Sequence, residues 1–331
     1  MRRRHIPALL AGASATWPLA ARAQPTERMR RIGVLMPFAE SDTEIRAQIA
    51  AFRDGLSKLG WTDGRNVQFD HRWAAGTIGQ VRAFAKELVE LRPDVIVGRA
   101  TPVIAALLQE TRTIPIVFLS VSDPVGDGFV ASLARPGGNV TGFTAVEASL
   151  GGKWLELLRE IAPRVSRIAI IFDPTRAPGG GAYYLRQVED AAKSFALKWV
   201  ANAVRDAADI GRTLDAFARE PNSGLVVLPD ITTVTHRDLI VSMAARLRLP
   251  AVYGFSSFAM LGGLISYGVD LADLFRRGAS YVDRILRGAK PSDLPVQQPI
   301  MFELTINRKT ATALGLTIPH SILLRADQVI E

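Results

Sequence analysis

A chain of 331 residues, 48% hydrophobic and 22% charged, exceeds what one hydrophobic core usually accommodates, so two globular domains are expected. The formal charge of +8 includes Arg2, Arg3, Arg4 and Arg22, which stand in a stretch read below as a leader. Without them it is +4, scattered over helix faces, and no nucleic-acid partner is expected. The absence of cysteine excludes disulfides, thiolate nucleophiles and zinc–thiolate sites, and the four histidines have no metal-ligand spacing, so neither a metal nor a cofactor is expected.

Taken in order, residues 1–23 carry an arginine cluster, an apolar stretch over 6–20 and Ala21-Arg22-Ala23, the A-x-A pattern of a cleavage site before Gln24. The stretch is too short, and too interrupted at Trp17-Pro18, to span a bilayer. A periplasmic mature protein is expected, exported by a Sec or twin-arginine route that Ile6 and Pro7 leave open. From residue 32 on, extended and helical patterns alternate. Apolar runs at 32–36, 94–98 and 114–119 and an alternating run at 66–73 predict strands. Helical spacing predicts helices over 43–59 and 78–91, and Thr101-Pro102 opens another with proline in its first turn. A short helix over 128–134, a break at Pro136-Gly137-Gly138 and a strand over 139–143 follow.

The pattern then restarts. Helices over 153–161, 183–195, 210–219 and 237–247 alternate with strands over 167–172, 197–204, 225–228 and 251–253. The end differs: a strand between glycines at 262–268, a helix over 271–286, a proline-rich extended run at 291–299, a strand over 301–306 and a small helix over 308–314. This alternation predicts an α/β fold of two lobes, each a doubly wound parallel sheet. Ligands in such sheets bind outside the carboxyl ends of the strands.

Five stretches carry a family resemblance: SDPVG at 122–126, ARPGGNVTG at 134–142, GGLISYG at 262–268, ILRGAKPSDLPVQQP at 285–299 and FELTINRKTATALGLTIP at 302–319. Together they resemble the ABC-transporter substrate-binding family that includes bacterial tryptophan-binding lipoproteins, over essentially the whole mature chain. The resemblance implies a class I periplasmic binding protein, with two Rossmann-like lobes joined by a three-crossing hinge. It implies closure over a small organic ligand, an aromatic or branched amino acid or an aromatic carboxylate, and delivery to an inner-membrane ABC permease. The crossings are expected at 139–144, 264–268 and 297–303, giving a first lobe of 30–142 plus 266–298 and a second of 143–265 plus 299–331. Lacking the lipobox cysteine of the tryptophan-binding lipoproteins, the chain is expected to be a soluble monomer.

That cleft turns strand-end residues into candidate ligand contacts. Arg99, Ala100 and Thr101 stand where a helix begins, and free N–H groups there favour a carboxylate. Similar proteins hold small or polar residues at this point, so Arg99 is a departure, one that suits an anionic ligand. Phe38 offers an apolar wall, Ser122 and Asp123 could take an ammonium or hydroxyl group, and Asn139 and Thr141 stand at the hinge. Opposite them come Asp173, Tyr183 or Tyr184, Asp230, Tyr253 and Tyr267, the tyrosines suited to stacking on a ring while hydrogen-bonding at its edge. Plainer readings stand beside these: Asp123 before proline as a turn former, Asn139 as a turn residue, Phe38 as core, Arg99 as a surface ion pair. An enzyme is not expected, since the phosphate-binding G-x-x-x-x-G-K-[ST] and the G-x-S-x-G elbow are missing and no histidine is placed as a base. Two alternatives stay open: a ligand-sensing subunit for a separate signalling receptor, and a hydrolase working through Asp123 and Asp230.

Overall fold

The computed structural model describes residues 28–145, 147 and 149–331; the expected leader lies outside the described residues. In the first half of the chain, β1 (Arg30–Met36), β2 (Val67–Trp73), β3 (Val95–Arg99), β4 (Ile116–Val121) and β5 (Val140–Thr144) form one parallel sheet in the order β2-β1-β3-β4-β5. α1 (Thr43–Lys58), α2 (Ile78–Glu90) and α3 (Thr101–Glu110) are its crossovers. The continuous apolar runs of β1, β3 and β4 are buried because helices cover both faces of a parallel sheet. α1 shows the matching helical pattern: Ile45, Ile49, Phe52 and Leu56 turn inward, and Asp42 caps it by accepting from the Glu44 and Ile45 N–H groups. Each such side chain, once buried, contributes about 1.5–3 kcal/mol.

The second sheet repeats this winding. After α4 (Leu150–Ile161) come β6 (Arg167–Phe172), α5 (Ala182–Ser194), β7 (Lys198–Ala203), α6 (Ala207–Phe217), β8 (Ser223–Val227), α7 (Ile231–Thr235), α8 (Arg237–Arg246), β9 (Ala251–Tyr253), α9 (Ser256–Met260) and β10 (Ile265–Val269). The strands run parallel in the order β7-β6-β8-β9-β10, the same order as in the first sheet. β11 (Phe302–Asn307) lies antiparallel on β10, and β12 (Gln328–Ile330) follows α11 (Arg308–Ala313) and α12 (His320–Arg325) to extend that edge. α10 (Leu271–Leu286) leaves the second sheet and packs against α1 and β4 of the first. Trp61 Nε1–H donates to Asp283 on α10 (2.8 Å), and the Tyr281 ring sits edge-on to Phe143 at 4.8 Å.

Three connections pass side by side between the sheets. The stretch leading to β11 hydrogen-bonds to the end of β5: Gln297 N–H donates to Gly142 O and Thr144 N–H to Gln297 O, both at 2.9 Å. Just beyond β10, Asp270 N–H donates to Met301 O (3.3 Å). Two glycines of the family-like motifs are here for closeness. A Cβ on Gly142 would stand 2.1 Å from Phe118 O, and one on Gly268 would stand 1.9 Å from Gly254 O.

Several local expectations change. Residues 128–134 are turns and bends, not a helix: Asp123 Oδ1 accepts from Gly126 N–H (2.8 Å), Asp123 O accepts from Asp127 N–H, and Gly128 has φ +72°. β4 continues to Val121 past the polar Ser120, which takes φ +61°. Within 291–299, Pro291–Asp293 is a 3-10 turn. α7, α9, α12 and β12 are too short for periodicity to reveal. β5 is paired in the first sheet to Thr144 and β10 in the second to Val269.

Candidate functional site

Where the carboxyl ends of β3 and β4 meet those of β8 and β9, the lobes enclose a cavity of about 40 Å³. At about 10–15 Å³ per water this is room for a few water molecules. The first lobe supplies Phe38, Arg99, Ala100, Thr101, Pro102, Ser120 and Ser122, and the second supplies Arg176, Pro229, Asp230, Ile231, Val234 and Phe255. Thr101, Pro102 and Arg176 also border an outer groove of about 550 Å³.

Arg99 ends β3 and is 2% exposed. Its guanidinium donates to Gln48 Oε1 (2.5 Å) and stacks over the Phe38 ring, with 4.7 Å from its carbon to the ring centroid. Gln48 in turn donates to Glu44 Oε1 (3.1 Å), so α1 holds the arginine through a neutral amide. Burial lowers the Arg99 pKa to about 10, against the raising influence of Glu44 and Asp42; it stays charged near neutral pH. The next residue, Ala100, precedes α3 with φ +72° and leaves the helix without a side-chain cap. Ser120 in β4 has φ +61°, so two non-glycine residues of the cavity wall adopt backbone angles that L-residues avoid.

Across the cavity, Asp230 caps α7: its carboxylate accepts from Thr233 N–H and from Asp173 N–H, both at 2.9 Å. Burial outweighs these bonds and, with the Asp173 charge, raises its pKa to about 7. Asp173 lies behind the wall, where its oxygens accept from Thr175 N–H and Oγ1–H, from Thr232 Oγ1–H and from Arg176 Nε (3.3 Å). Arg176 also reaches the opposite lobe, donating to Gly76 O (2.9 Å). Ser122 Oγ lies 3.0 Å from Tyr184 Oη of the other lobe, and burial pushes the Tyr184 hydroxyl above its ordinary range. On the rim Arg237 bonds Asp42 at 2.6 Å. These contacts describe a closed form.

Of the strand-end candidates, Phe38, Arg99, Ala100, Thr101, Ser122 and Asp230 therefore share one cavity wall. The others lie elsewhere. Asp123 holds the turn after β4. Asn139 is at the amino end of β5, donating to Ile114 O (2.7 Å), and Thr141 donates to Leu294 O (2.6 Å). Tyr183 packs edge-on to Tyr184 at 5.2 Å, and Tyr253 is buried on Phe258 at 4.9 Å. Tyr267 stacks with Phe302 at 5.9 Å and borders a separate groove beside Lys153. Sequence reasoning passed over Ser120, Arg176, Pro229, Ile231, Val234 and Phe255. Phe255 has the same strand-end signal as Phe38, two residues after a short apolar strand, whereas Ile231 and Val234 sit on a helix too short to show a period. Among the described residues no group of three or more His, Asp or Glu is placed to hold a metal ion, and no helix is long and apolar enough to cross a membrane.

The sequence pattern of the ABC transporter substrate binding protein family matches residues 32–330. The chain belongs to that family. It is 26% identical over 265 residues to a tyrosine-binding protein of Clostridioides difficile, across 80% of this chain and 75% of that protein. A conserved domain protein of Vibrio cholerae superposes with a TM-score of 0.85 at 30% identity, covering 91% of this chain and all of that one. The ABC domain in complex with L-Trp from Streptococcus pneumonia gives 0.84 at 28% identity, over 91% and 99%. The fold is thus that of class I periplasmic binding proteins, and the family binds solutes for ABC transporters rather than transforming them.

Proposed function

We propose that this chain is the exported receptor of an ABC import system, one that works as a monomer outside the cytoplasm and passes its ligand to an inner-membrane permease. The ligand is a small organic molecule from the aromatic or branched amino acids and aromatic carboxylates. Relatives that bind tyrosine and hold L-Trp support that range. The observation carrying the reading is the wall composition of the interlobe cavity, which joins a buried arginine to the apolar Phe255, Ile231 and Val234; with room for only a few waters in this form, the lobes must part to admit the ligand and close around it less fully than here. Arg99, Ala100 and Thr101 would hold the polar end of the ligand, Ser122 and Asp230 would fix its orientation, and Phe38 and Phe255 would flank its body. The lobes open for entry and shut by hinge bending.

Native mass spectrometry of protein purified without refolding tests this, together with a thermal-shift panel of amino acids and carboxylic acids. The expected result is one retained solute per chain, or a compound that raises the melting temperature and reduces the radius of gyration in X-ray scattering. Failure of every compound to do either would end the reading.

A further inference from the structure

Within the proposed solute-binding role, the charges of the cavity wall are not equally satisfied. Arg176 is paired with Asp173 at 3.3 Å. Asp230 accepts two backbone N–H groups and caps a helix. Arg99 differs: it is 2% exposed, and among the described residues no carboxylate lies within 4 Å of its guanidinium, only the neutral Gln48 Oε1. Glu44, which steadies Gln48, does not line the cavity. The uncapped first turn of α3 adds partial positive charge on the same side. The carboxylates that act on Arg99, Glu44 and Asp42, do so from behind the wall, so on the cavity side its buried charge meets no opposite partner and the site there favours one negative charge.

We infer that the preferred ligand is a monocarboxylate with a compact aromatic or branched apolar body and no ammonium group, its carboxylate paired with Arg99. This rests on the solute-binding reading above. An α-amino acid would bring its ammonium into the same wall, where Asp230 shares its charge between two backbone N–H groups and, with burial raising its pKa to about 7, is a weaker counter-charge than Arg99 offers the carboxylate. An amide or alcohol of the same shape would leave Arg99 unpaired.

Titration calorimetry on the purified protein tests it with matched sets: 3-phenylpropionate, L-phenylalanine and 3-phenylpropionamide, then 4-methylpentanoate, L-leucine and the corresponding amide. The acids are expected to bind about tenfold to a hundredfold more tightly than the amino acids and amides. Arg99→Met should lose the acid preference, and Arg99→Lys should keep part of it. The wild-type comparison carries the test if R99M does not fold. An amino acid or amide that matches or exceeds its acid overturns the inference and leaves the solute-binding reading standing. If none of the six binds, the inference falls, while the retained-solute measurement decides the wider reading separately.

Discussion

Asp230 links local backbone chemistry to the cavity. It closes the first turn of α7 and anchors the Asp173 N–H, yet it is 8% exposed, and burial moves its pKa from 3.8 to about 7. A folded-state pKa above the unfolded one means that folding favours the protonated form. The associated stability is complete below about pH 4 and is lost as pH rises through about 7. Asp230→Asn removes the titration while keeping an acceptor for Thr233, at about 1 kcal/mol for the lost bond from Asp173. The fall in melting temperature between pH 4.5 and pH 8 should therefore be smaller in D230N than in the wild type. Equal slopes would mean that Asp230 ionises normally. At this scale the sequence is informative about residue type and poor about direction. Arg99 and Ser122 are legible as polar ends of apolar runs, whereas Asn139, read as part of the hinge, belongs to the amino end of β5 because pairing with Ile116 begins at Val140. The Tyr253 ring turns onto Phe258, a contact between residues of two elements that no single-strand pattern encodes.

The connecting strands show why the family is easier to read than the ligand. The stretches that carry the resemblance are mostly structural: Asp123 fixes a turn, Thr141 and Gln297 tie β5 to the returning chain, and Gly142 and Gly268 permit backbone contact. Alternating strands and helices were legible because long elements with one or two buried faces leave a period in the sequence. The turns of 128–134 were not, since their geometry is set by hydrogen bonds to Asp123 and Pro124 rather than by a hydrophobic repeat. Gly142→Ala tests the close approach. Its Cβ would fall 2.1 Å from the Phe118 carbonyl oxygen in a strand buried on both faces, where neither partner can yield without breaking pairing. The expected loss is about 2–4 kcal/mol, read as a lower urea midpoint at an unchanged slope. A midpoint within experimental error of wild type would show that β5 can shift away from β4.

At the scale of the whole molecule, two sheets with the same strand order share a seam, and the contacts across it set the balance between open and closed forms. Ser122 with Tyr184, Arg176 with Gly76 and Arg237 with Asp42 all join the lobes, and only the last pairs two charges. Its side chains are 14% and 12% exposed, so water screens the pair less than it would at an open surface. Asp42 also caps α1 through its other oxygen, which makes Arg237 the cleaner residue to change. Arg237→Met should destabilise the closed form by on the order of 1 kcal/mol while leaving each lobe's core intact. Because ligand is held in the closed form, that loss appears as about fivefold weaker binding, mainly through faster dissociation. Without ligand, the same variant should show a larger radius of gyration than wild type in X-ray scattering. Weaker binding with an unchanged radius would mean that Arg237 acts on the ligand rather than on closure, and no change in either would remove the rim pair from the closing mechanism.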